Sequence, residues 1–409
     1  MALNQALSGI NAAQSALDVI SNNIANAGTV GFKGSTAKFQ DIYAVTGFNL
    51  GSTAIGGGAR LSNVAQQFTQ GDQQSTGLST NLYISGNGFF VINNGSGPLY
   101  TRNGDFFKAN DGYLENTDGY RVQVYPSDGK GGFDTSTLTD LNLNAAVSNA
   151  SATSTITVSS NLPAGASVPT DVATFDPNDK NSFNNNTPVT VYDSQGGAHQ
   201  AQIYYAKTGD NNWTAHLVID GQEAAGPQSL VFGSDGLLQT PANGQLAFTP
   251  PSPGNGATYP AAMTVDFTNT TQFGTDFAPG GADQDGFEAG QLTSVDIDSK
   301  GVVSANYSNG QTTQIAQVAV ANFADLGGLR QLGNTTWAAS TDSGQALMGV
   351  ATVGQFGSLV SGALESSNTA DTTAQLVDMI QAQRNYQANA QVLSTDNTLA
   401  STLFNAVGR

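Results

Sequence analysis

The sequence of 409 residues contains no cysteine, which excludes a disulfide framework, a thiolate metal site and a cysteine nucleophile. Basic residues are also few, because 13 Lys and Arg stand against 31 Asp and Glu and give a net charge of −18. Such a chain lacks the positive charge with which proteins neutralise nucleic-acid phosphates. No apolar run approaches the roughly 18 residues that a membrane-spanning helix requires. The composition therefore predicts no nucleic-acid partner and no membrane insertion.

Proline is missing from both ends of the chain. All 13 prolines lie between Pro98 and Pro279, and 11 of them lie from Pro163 onward. Long helices and central strands exclude proline, whereas turn-rich β domains use it. We therefore expect regular elements at the two ends and a loop-rich middle.

One helix is predicted over residues 3 to 27. Apolar residues recur in it at intervals of three and four, and Gly28 supplies a C-terminal cap. The predicted assembly seam of this helix consists of Leu3, Leu7, Ile10, Leu17, Ile20 and Ile24.

A second helix is predicted near the C-terminus, with Asn368 and Asp371 forming a box-like N-terminal cap. A seam of this length requires a partner helix, so the two ends are expected to pair as a coiled coil. The alternative is that both are surface helices packed on a globular core. The predicted C-terminal seam consists of Leu376, Met379, Gln383, Tyr386, Ala390, Leu393, Asn397 and Phe404.

Between the helices the apolar pattern changes to the period of two that is typical of strands. Asn81 to Ile92 is predicted to be a strand pair broken at Gly86-Asn87-Gly88. Glycine-containing turns between β-branched and aromatic runs indicate further hairpins. These turns are Asn110-Asp111-Gly112, Thr117-Asp118-Gly119 and Ser308-Asn309-Gly310, the last lying between the runs Ser294–Ala305 and Gln314–Phe323.

The proline-rich middle segment is predicted to be an all-β insert with 11 acidic and 2 basic residues. The fold class is therefore mainly β with α-helical termini: terminal coiled-coil helices plus two nested all-β domains that are discontinuous in sequence. The predicted strands of the insert are Thr155–Val158, Val189–Tyr192, Gln202–Tyr205, Trp213–Ile219, Gln245–Phe248 and Met263–Phe267. The predicted boundaries are 1–28 and 365–409 for the terminal assembly domain, 29–70 for a linker or extended region, 71–146 and 285–364 for a split inner domain, and 147–284 for the outer domain.

No motif for catalysis is found. His199 and His216 each lie on an alternating strand pattern, where a single histidine is far more often structural than catalytic. No nucleophile elbow and no phosphate-binding loop occur. The run that begins at Asp296 opens like a calcium loop, but Lys300 and Tyr307 occupy two of the ligand positions. We predict no enzymatic activity and no catalytic, cofactor-binding or metal-binding residues.

Three segments resemble the axial proteins of the bacterial flagellum. SNNIANAGTVGFKG, from Ser21 to Gly34, is similar to the signature that follows the N-terminal helix in this family. Gly86 to Phe106 and Leu364 to Phe404 resemble its inner β segment and its C-terminal helix. The motif residues carried over are Asn22, Asn23, Ala25, Asn26, Thr29, Gly31, Phe32 and Lys33.

Within that family, the size of the acidic insert favours the hook proteins over the rod proteins. The resemblance implies a homopolymer that forms a curved, flexible tube, joins rod to filament and transmits torque. It also implies contact with distal rod, hook cap and hook–filament junction proteins. Export by the flagellar type III apparatus without a cleaved signal, and an extracellular location in the hook, follow from the same resemblance. The alternatives are a distal-rod or junction protein of the same family and, more remotely, a secreted β-rich adhesin or glycan-degrading enzyme.

Overall fold

The computed structural model describes residues 2–42, 56–144 and 147–407. Most of the glycine-rich link predicted from Phe48 to Arg60 lies outside these ranges, and so does Ala146, the predicted end of the first inner segment. The chain forms two compact units. Unit 1 comprises Met1–Ala146, Ser294–Ala305 and Thr312–Arg409, and unit 2 comprises Val147–Thr293 and Asn306–Gln311. Among the described residues, no helix is long and apolar enough to cross a membrane.

Two α-helices lie at the ends of the chain, α1 (Ala2–Ala25) and α2 (Thr372–Val407), and a short 3-10 helix spans Leu326–Gly328. The first ten strands are β1 (Ser35–Asp41), β2 (Ala59–Gln66), β3 (Gln73–Ser75), β4 (Leu82–Ser85), β5 (Phe89–Asn93), β6 (Pro98–Thr101), β7 (Phe107–Lys108), β8 (Leu114–Glu115), β9 (Arg121–Pro126) and β10 (Thr139–Asp140). The next eleven are β11 (Thr155–Pro163), β12 (Asn185–Tyr192), β13 (Ala198–Gly209), β14 (Asn212–Ile219), β15 (Gln222–Glu223), β16 (Gln228–Phe232), β17 (Leu238–Thr240), β18 (Gln245–Phe248), β19 (Met263–Asp266), β20 (Thr271–Phe273) and β21 (Ala278–Gln284). The remaining eight are β22 (Leu292–Ile297), β23 (Val302–Tyr307), β24 (Thr312–Asn322), β25 (Arg330–Gly333), β26 (Thr336–Ala338), β27 (Leu347–Val350), β28 (Ser358–Ser361) and β29 (Ala363–Glu365).

The predicted class, mainly β with helical termini, is confirmed. In unit 1 a sheet of twelve strands has a main path of eight, β22-β23-β24-β9-β5-β6-β26-β25, and β7, β8, β10 and β27 pair beside this path. Its core is aromatic, and Phe89 and Trp337 meet edge to face with ring centroids 5.8 Å apart. Edge-to-face contacts of this kind add to the stabilisation that the buried area already provides.

Asn81 to Ile92 does not form the predicted hairpin. The two strands are present as β4 and β5, but β4 pairs with β28 whereas β5 pairs with β6, β9 and β24. The chain between them is fixed instead by Arg102, whose Nη2 donates to the Gly86 carbonyl oxygen at 2.7 Å. A glycine-rich break between two apolar runs therefore separates two sheets here.

The region predicted as a linker or extended region, 29–70, contains two paired strands in its described part. Strands β1 and β2 pair antiparallel from Ser35 with Gln66 to Asp41 with Ala59. Their side chains are mostly polar and half-exposed or exposed, so the apolar alternation that identifies a strand in sequence is missing. The backbone pairing satisfies the N–H and C=O groups all the same.

Unit 2 contains a five-stranded sheet (β18-β19-β11-β20, with β21 beside β11) and a six-stranded sheet (β12-β13-β14-β16-β17, with β15 beside β14). Both sheets contribute to one apolar core around the fully buried Trp213 and Tyr205. Five of the six predicted strands of the insert lie within observed strands, and the sixth, Met263–Phe267, extends one residue past the end of β19. Strand β21 was not predicted, since its sequence APGGADQ contains a proline and two glycines, which strand patterns normally exclude.

The ends of the insert lie side by side. Ser148 pairs with Gly290 and Ser151 with Phe287 in isolated antiparallel bridges. Unit 2 therefore extends past the predicted boundary at 284. Unit 2 also includes the turn at 308–310, which the sequence predicts to lie in the inner domain. Asn309 Nδ2 donates to Ser148 Oγ at 2.9 Å and so attaches this turn to unit 2.

Candidate assembly interface

The two terminal helices pack against each other antiparallel. Asn23 Nδ2 donates to Gln375 Oε1 at 3.2 Å, and near the other end of the pair Gly9 lies against Asn389. A Cβ added to Gly9 would come within 2.6 Å of Asn389 Oδ1, so the helices approach closely there. On α1, the small residues Ala6 and Ala13 are buried.

The predicted N-terminal seam is only partly covered in the single chain. Leu3 and Leu7 are 41% and 48% exposed. The remaining four seam residues are half-buried, namely Ile10, Leu17, Ile20 and Ile24. The sequence pattern selected the large apolar side chains, whereas the helix pair uses the alanines and Gly9 beside them, because small residues allow two helices to approach.

The predicted C-terminal seam is likewise only partly covered in the single chain. Among the described side chains of α2, Ala382 alone is buried, and it was not among the predicted seam residues. Met379, Ala390 and Leu393 are half-buried, whereas Leu376, Gln383, Tyr386 and Asn397 are exposed. The side chain of Phe404 lies outside the described part of the chain.

The cap of α2 is simpler than predicted. Asp371 Oδ1 accepts a hydrogen bond from the Thr373 N–H at 3.0 Å and is the N-cap. Asn368 does not take part in this cap. Its Oδ1 accepts from the Gly34 N–H at 2.7 Å, and its amide donates to the Gln67 carbonyl oxygen at 2.6 Å. Asn368 therefore joins the entry to α2 to the chain that follows α1.

The residues of the flagellar motif lie at the end of α1 and in the turns that follow. The helix ends at Ala25, two residues earlier than predicted, and Gly28 is not in the left-handed conformation of a helix cap. Asn26 Nδ2 donates to the Asn22 carbonyl oxygen at 2.9 Å and Thr29 N–H to the Asn26 carbonyl oxygen at 3.0 Å, so these residues close the turns locally.

Asn23 and Gly31 attach these turns to other segments. Asn23 is buried and exchanges two hydrogen bonds with the backbone of Ser35, both 2.9 Å. Gly31 has φ +67°, and a Cβ there would meet the Asn103 backbone nitrogen at 2.6 Å, so only glycine fits.

A buried charge cluster is formed by Lys33, Arg102 and Glu365. It joins the segment after α1 and the segment before α2 to the sheet of unit 1. Lys33 Nζ lies 2.6 Å from Glu365 Oε1, and Arg102 Nε lies 3.3 Å from Glu365 Oε2. All three side chains are at most 5% exposed. Lys33 follows α1, Glu365 precedes α2 and Arg102 follows β6, so the cluster connects three segments that are far apart in sequence.

Backbone groups complete the cluster. Lys33 Nζ donates to the Thr69 carbonyl oxygen at 2.7 Å, and Glu365 Oε1 accepts from the Gly71 N–H at 2.9 Å. Burial lowers the pKa of Lys33 and of Arg102, and in each case attraction to Glu365 opposes that fall. Of the three residues, only Lys33 was predicted as a functional residue. Arg102 and Glu365 were not predicted. The available signal was that each is an isolated charge in a stretch of mostly neutral residues.

Among the described residues, little supports a metal-binding or catalytic site. Asp298 Oδ1 accepts from the backbone N–H groups of Lys300 and Val302, both at 2.8 Å, and so closes the turn that resembled a calcium loop. No group of His, Asp and Glu in the described part of the chain is arranged to hold a metal ion. His216 Nδ1 lies 2.6 Å from Glu223 Oε1, and its ring stacks on Phe175.

Four family models match parts of the chain, in order from the N-terminus to the C-terminus. The model described as "Flagella basal body rod protein" matches residues 3–33, and "Flagellar hook protein FlgE/F/G D1 domain" matches 83–165. "Flagellar basal body protein FlaE D2 domain" matches 161–287, and "Flagellar basal body rod FlgEFG protein C-terminal" matches 360–406.

Curated relatives match over the full length. The flagellar hook protein FlgE of Escherichia coli (strain K12) is 37% identical, with 99% of this chain and 100% of that protein covered. The flagellar hook protein of Salmonella typhimurium is 38% identical at the same coverage, and that of Treponema pallidum is 32% identical with 97% of each chain covered. A crystal structure of Helicobacter pylori flagellar hook protein FlgE2 superposes with a TM-score of 0.50 over 70% of this chain and 98% of that one. At 14% identity, this match supports the fold alone.

Proposed function

The chain belongs to the flagellar hook protein family and is a structural subunit of the hook, and we propose that its two terminal helices carry the contacts through which copies polymerise. The observation behind this proposal is that large apolar side chains on both helices remain exposed in the single chain. They are Leu3, Leu7, Leu376, Val377, Ile380, Tyr386, Val392, Leu399 and Leu403. Exposed apolar area on this scale is typical of a surface that another protein covers.

The last turns of α2 extend the argument. The pairing of Gly9 with Asn389 implies that α2 continues past the start of α1 by about ten residues, or roughly 15 Å at 1.5 Å per residue. Leu399 and Leu403, in that extension, are 64% and 66% exposed. An isolated helix end is marginally stable in water, so a neighbouring copy would stabilise it.

The assignments that the resemblance implied also belong to this proposal. The subunits would form a curved tube outside the cell that joins rod to filament and transmits torque. Their partners would be further copies of the chain, the distal rod, hook cap and junction proteins, and the type III export apparatus. Electron microscopy of polymers grown from the purified chain tests this part of the proposal, because the subunits should give curved tubes of constant diameter.

A pair of substitutions tests the role of the helices. Leu399→Asp should prevent polymerisation, because it places a charge in the apolar contact without a partner. Ser401→Asp is the matched control, since it adds the same charge in the same helical turn but about 160° around α2. Both substitutions carry the same cost from the helix dipole. Sedimentation and negative-stain microscopy provide the measurement. Assembly of Leu399→Asp at the parent rate, or equal loss of assembly in both variants, would contradict the proposal.

A further inference from the structure

In unit 2, His199 lies between two carboxylates. Its Nδ1 is 2.5 Å from Asp220 Oδ2, and its Nε2 is 3.1 Å from Asp193 Oδ2. Asp193 follows β12 and is completely buried, whereas Asp220 follows β14 and its side chain is 52% exposed. The side chain of His199 is 12% exposed. The histidine therefore bridges two turns that lie 27 residues apart in the sequence.

Only a protonated ring can make both contacts. A neutral imidazole has one N–H donor and one acceptor, whereas the imidazolium donates from both nitrogens. Ionised carboxylates accept only, so the second nitrogen of a neutral ring would face a carboxylate oxygen with its lone pair. Burial opposes protonation, but hydrogen bonds from the ring to Asp220 and Asp193, together with their charges, outweigh it and raise the pKa of His199.

The carboxylate of Asp193 also holds the loop 250–262, which connects β18 to β19. Asn255 Nδ2 donates to Asp193 Oδ2 at 2.8 Å, the same oxygen that faces His199. Nearby, Ser194 Oγ accepts from the Thr258 N–H at 3.0 Å, and the Ser194 N–H donates to the Thr258 carbonyl oxygen at 2.9 Å. The loop thus depends on the position of the turn that follows β12.

Tyr259 completes the contact between loop and histidine. Its ring meets that of His199 edge to face, with centroids 5.6 Å apart. Its hydroxyl oxygen is buried and has no hydrogen-bond partner among the described residues. Burial and the nearby charges of Asp220 and Asp193 raise the pKa of this phenol far above its usual range. The ionisable groups that face the histidine are therefore Asp193, Asp220 and Tyr259.

We propose that His199 is a pH-sensitive latch: as an imidazolium it ties the turns after β12 and β14 together and keeps the loop 250–262 closed, and loss of its proton opens the loop. Deprotonation leaves two carboxylates, one of them fully buried, on either side of a neutral ring. Asp193 then keeps its bonds to the Gln195 and Gly197 N–H groups, both 2.8 Å, but loses its cation.

The direction of the pH effect follows from the geometry. The folded-state pKa of His199 lies above its ordinary value of about 6.5, so the latch contributes its full stabilisation below that pH. The contribution is lost as the pH rises through the folded-state pKa. The loop is therefore closed below the ordinary histidine pKa and opens as the pH rises through the folded-state pKa of His199.

The test is an NMR pH titration of the full chain, whose two histidines give two sets of imidazole resonances. His199→Gln assigns them. We expect the titration midpoint of His199 to lie above 6.5, and a midpoint at or below 6.5 would overturn the proposal.

Loop opening is measured separately through a single thiol, which is possible because the chain has no cysteine. Ala257→Cys introduces it at a buried position of the loop, and Ser252→Cys at an exposed one. The ratio of their alkylation rates removes the part of the pH dependence that the two thiols share. The ratio of the Ala257→Cys rate to the Ser252→Cys rate should rise about tenfold between pH 6 and 9. When His199→Gln is added to both variants, this ratio should be high at every pH.

His216→Gln is the matched control, since it removes the other histidine of unit 2 and should leave the rise intact. A ratio that does not change with pH, or that changes equally in the His199→Gln background, would contradict the latch. Both outcomes are independent of polymerisation and therefore of the proposed assembly contacts.

Discussion

At the scale of single residues, the charge cluster of Lys33, Arg102 and Glu365 is where one substitution should have the largest effect. Two cations share one carboxylate, and the Thr69, Ile84 and Gly86 carbonyl oxygens accept their remaining hydrogen bonds. A buried ion pair contributes little net stability compared with apolar packing, but removal of one partner leaves an uncompensated charge. The cluster therefore fixes the positions of its three segments more than it stabilises them.

Glu365→Gln should destabilise unit 1 by about 3–5 kcal/mol, because it leaves two buried cations without a counter-charge. Urea unfolding monitored by the ¹⁹F resonance of fluorotryptophan at Trp337, in the same unit, measures this. Asp111→Asn is the matched control. It neutralises a carboxylate that pairs with Arg121 at 3.0 Å, but both side chains are at least 36% exposed. Its cost should be about 0–1 kcal/mol. Equal costs for the two variants would mean that burial of the cluster has no energetic consequence.

At the scale of secondary structure elements, the sequence predicted those whose apolar pattern is strong. Helices α1 and α2 and the strands around Trp213 belong to this group. Strands β1, β2 and β21 could not be predicted, because their residues are polar or glycine-rich and only backbone pairing across the chain defines them. The pairing of β4 with β28 was equally hidden, since about 270 residues separate the two strands.

The close contact between the two helices of one chain was not predicted, for a related reason. A periodicity argument ranks residues by hydrophobicity, so it selected leucines such as Leu3 and Leu7. The two helices of one chain meet instead through Ala13, Gly9 and Ala382, where small size matters more than apolar area. A single sequence does not distinguish a contact within the chain from one between copies, and the predicted seam remains a prediction about the latter.

Trypsin should distinguish Lys33 from Lys38 in the unpolymerised chain. The helix pair is held mainly by small and polar residues, so we expect both helices to open before the β units do. Lys38 lies exposed on β1, whereas Lys33 is buried against Glu365. Mass spectrometry of early digests should therefore show cleavage after Lys38 well before cleavage after Lys33. The Glu365→Gln variant should lose this difference. Cleavage at Lys33 first, in the parent chain, would show that the cluster forms only in the polymer.

At the scale of the whole molecule, the nesting of one β domain within another was expected from two similar β-rich stretches around a proline-rich segment. What the sequence did not reveal is where the inner unit ends. The turn at 308–310 belongs to unit 2, because Asn309 bonds to Ser148 and to the Glu288 carbonyl oxygen at 2.8 Å. These are contacts between residues distant in sequence, and nothing in the local pattern of the turn records them.

Removal of the insert should leave unit 1 folded. We predict that replacing residues 149–289 by a link of about four Gly and Ser residues preserves its cooperative melting. Ser148 and Gly290 are antiparallel partners, so their Cα atoms lie about 5 Å apart, a gap that a short link closes without strain. A shorter loop also costs less entropy to close. Each unit has its own apolar core, around Trp337 in unit 1 and around Trp213 in unit 2.

The deletion also makes its own measurement simple. It removes Trp213 and leaves Trp337 as the sole tryptophan, so intrinsic fluorescence reports on unit 1 alone. The melting midpoint should stay within a few degrees of the value that fluorotryptophan at Trp337 gives in the full chain. A matched deletion of 149–297 also removes β22 from the end of the twelve-stranded sheet, and it should lower the midpoint clearly. If the shorter deletion abolished cooperative melting as well, the two cores would depend on each other, and the division of the chain into nested units would be wrong.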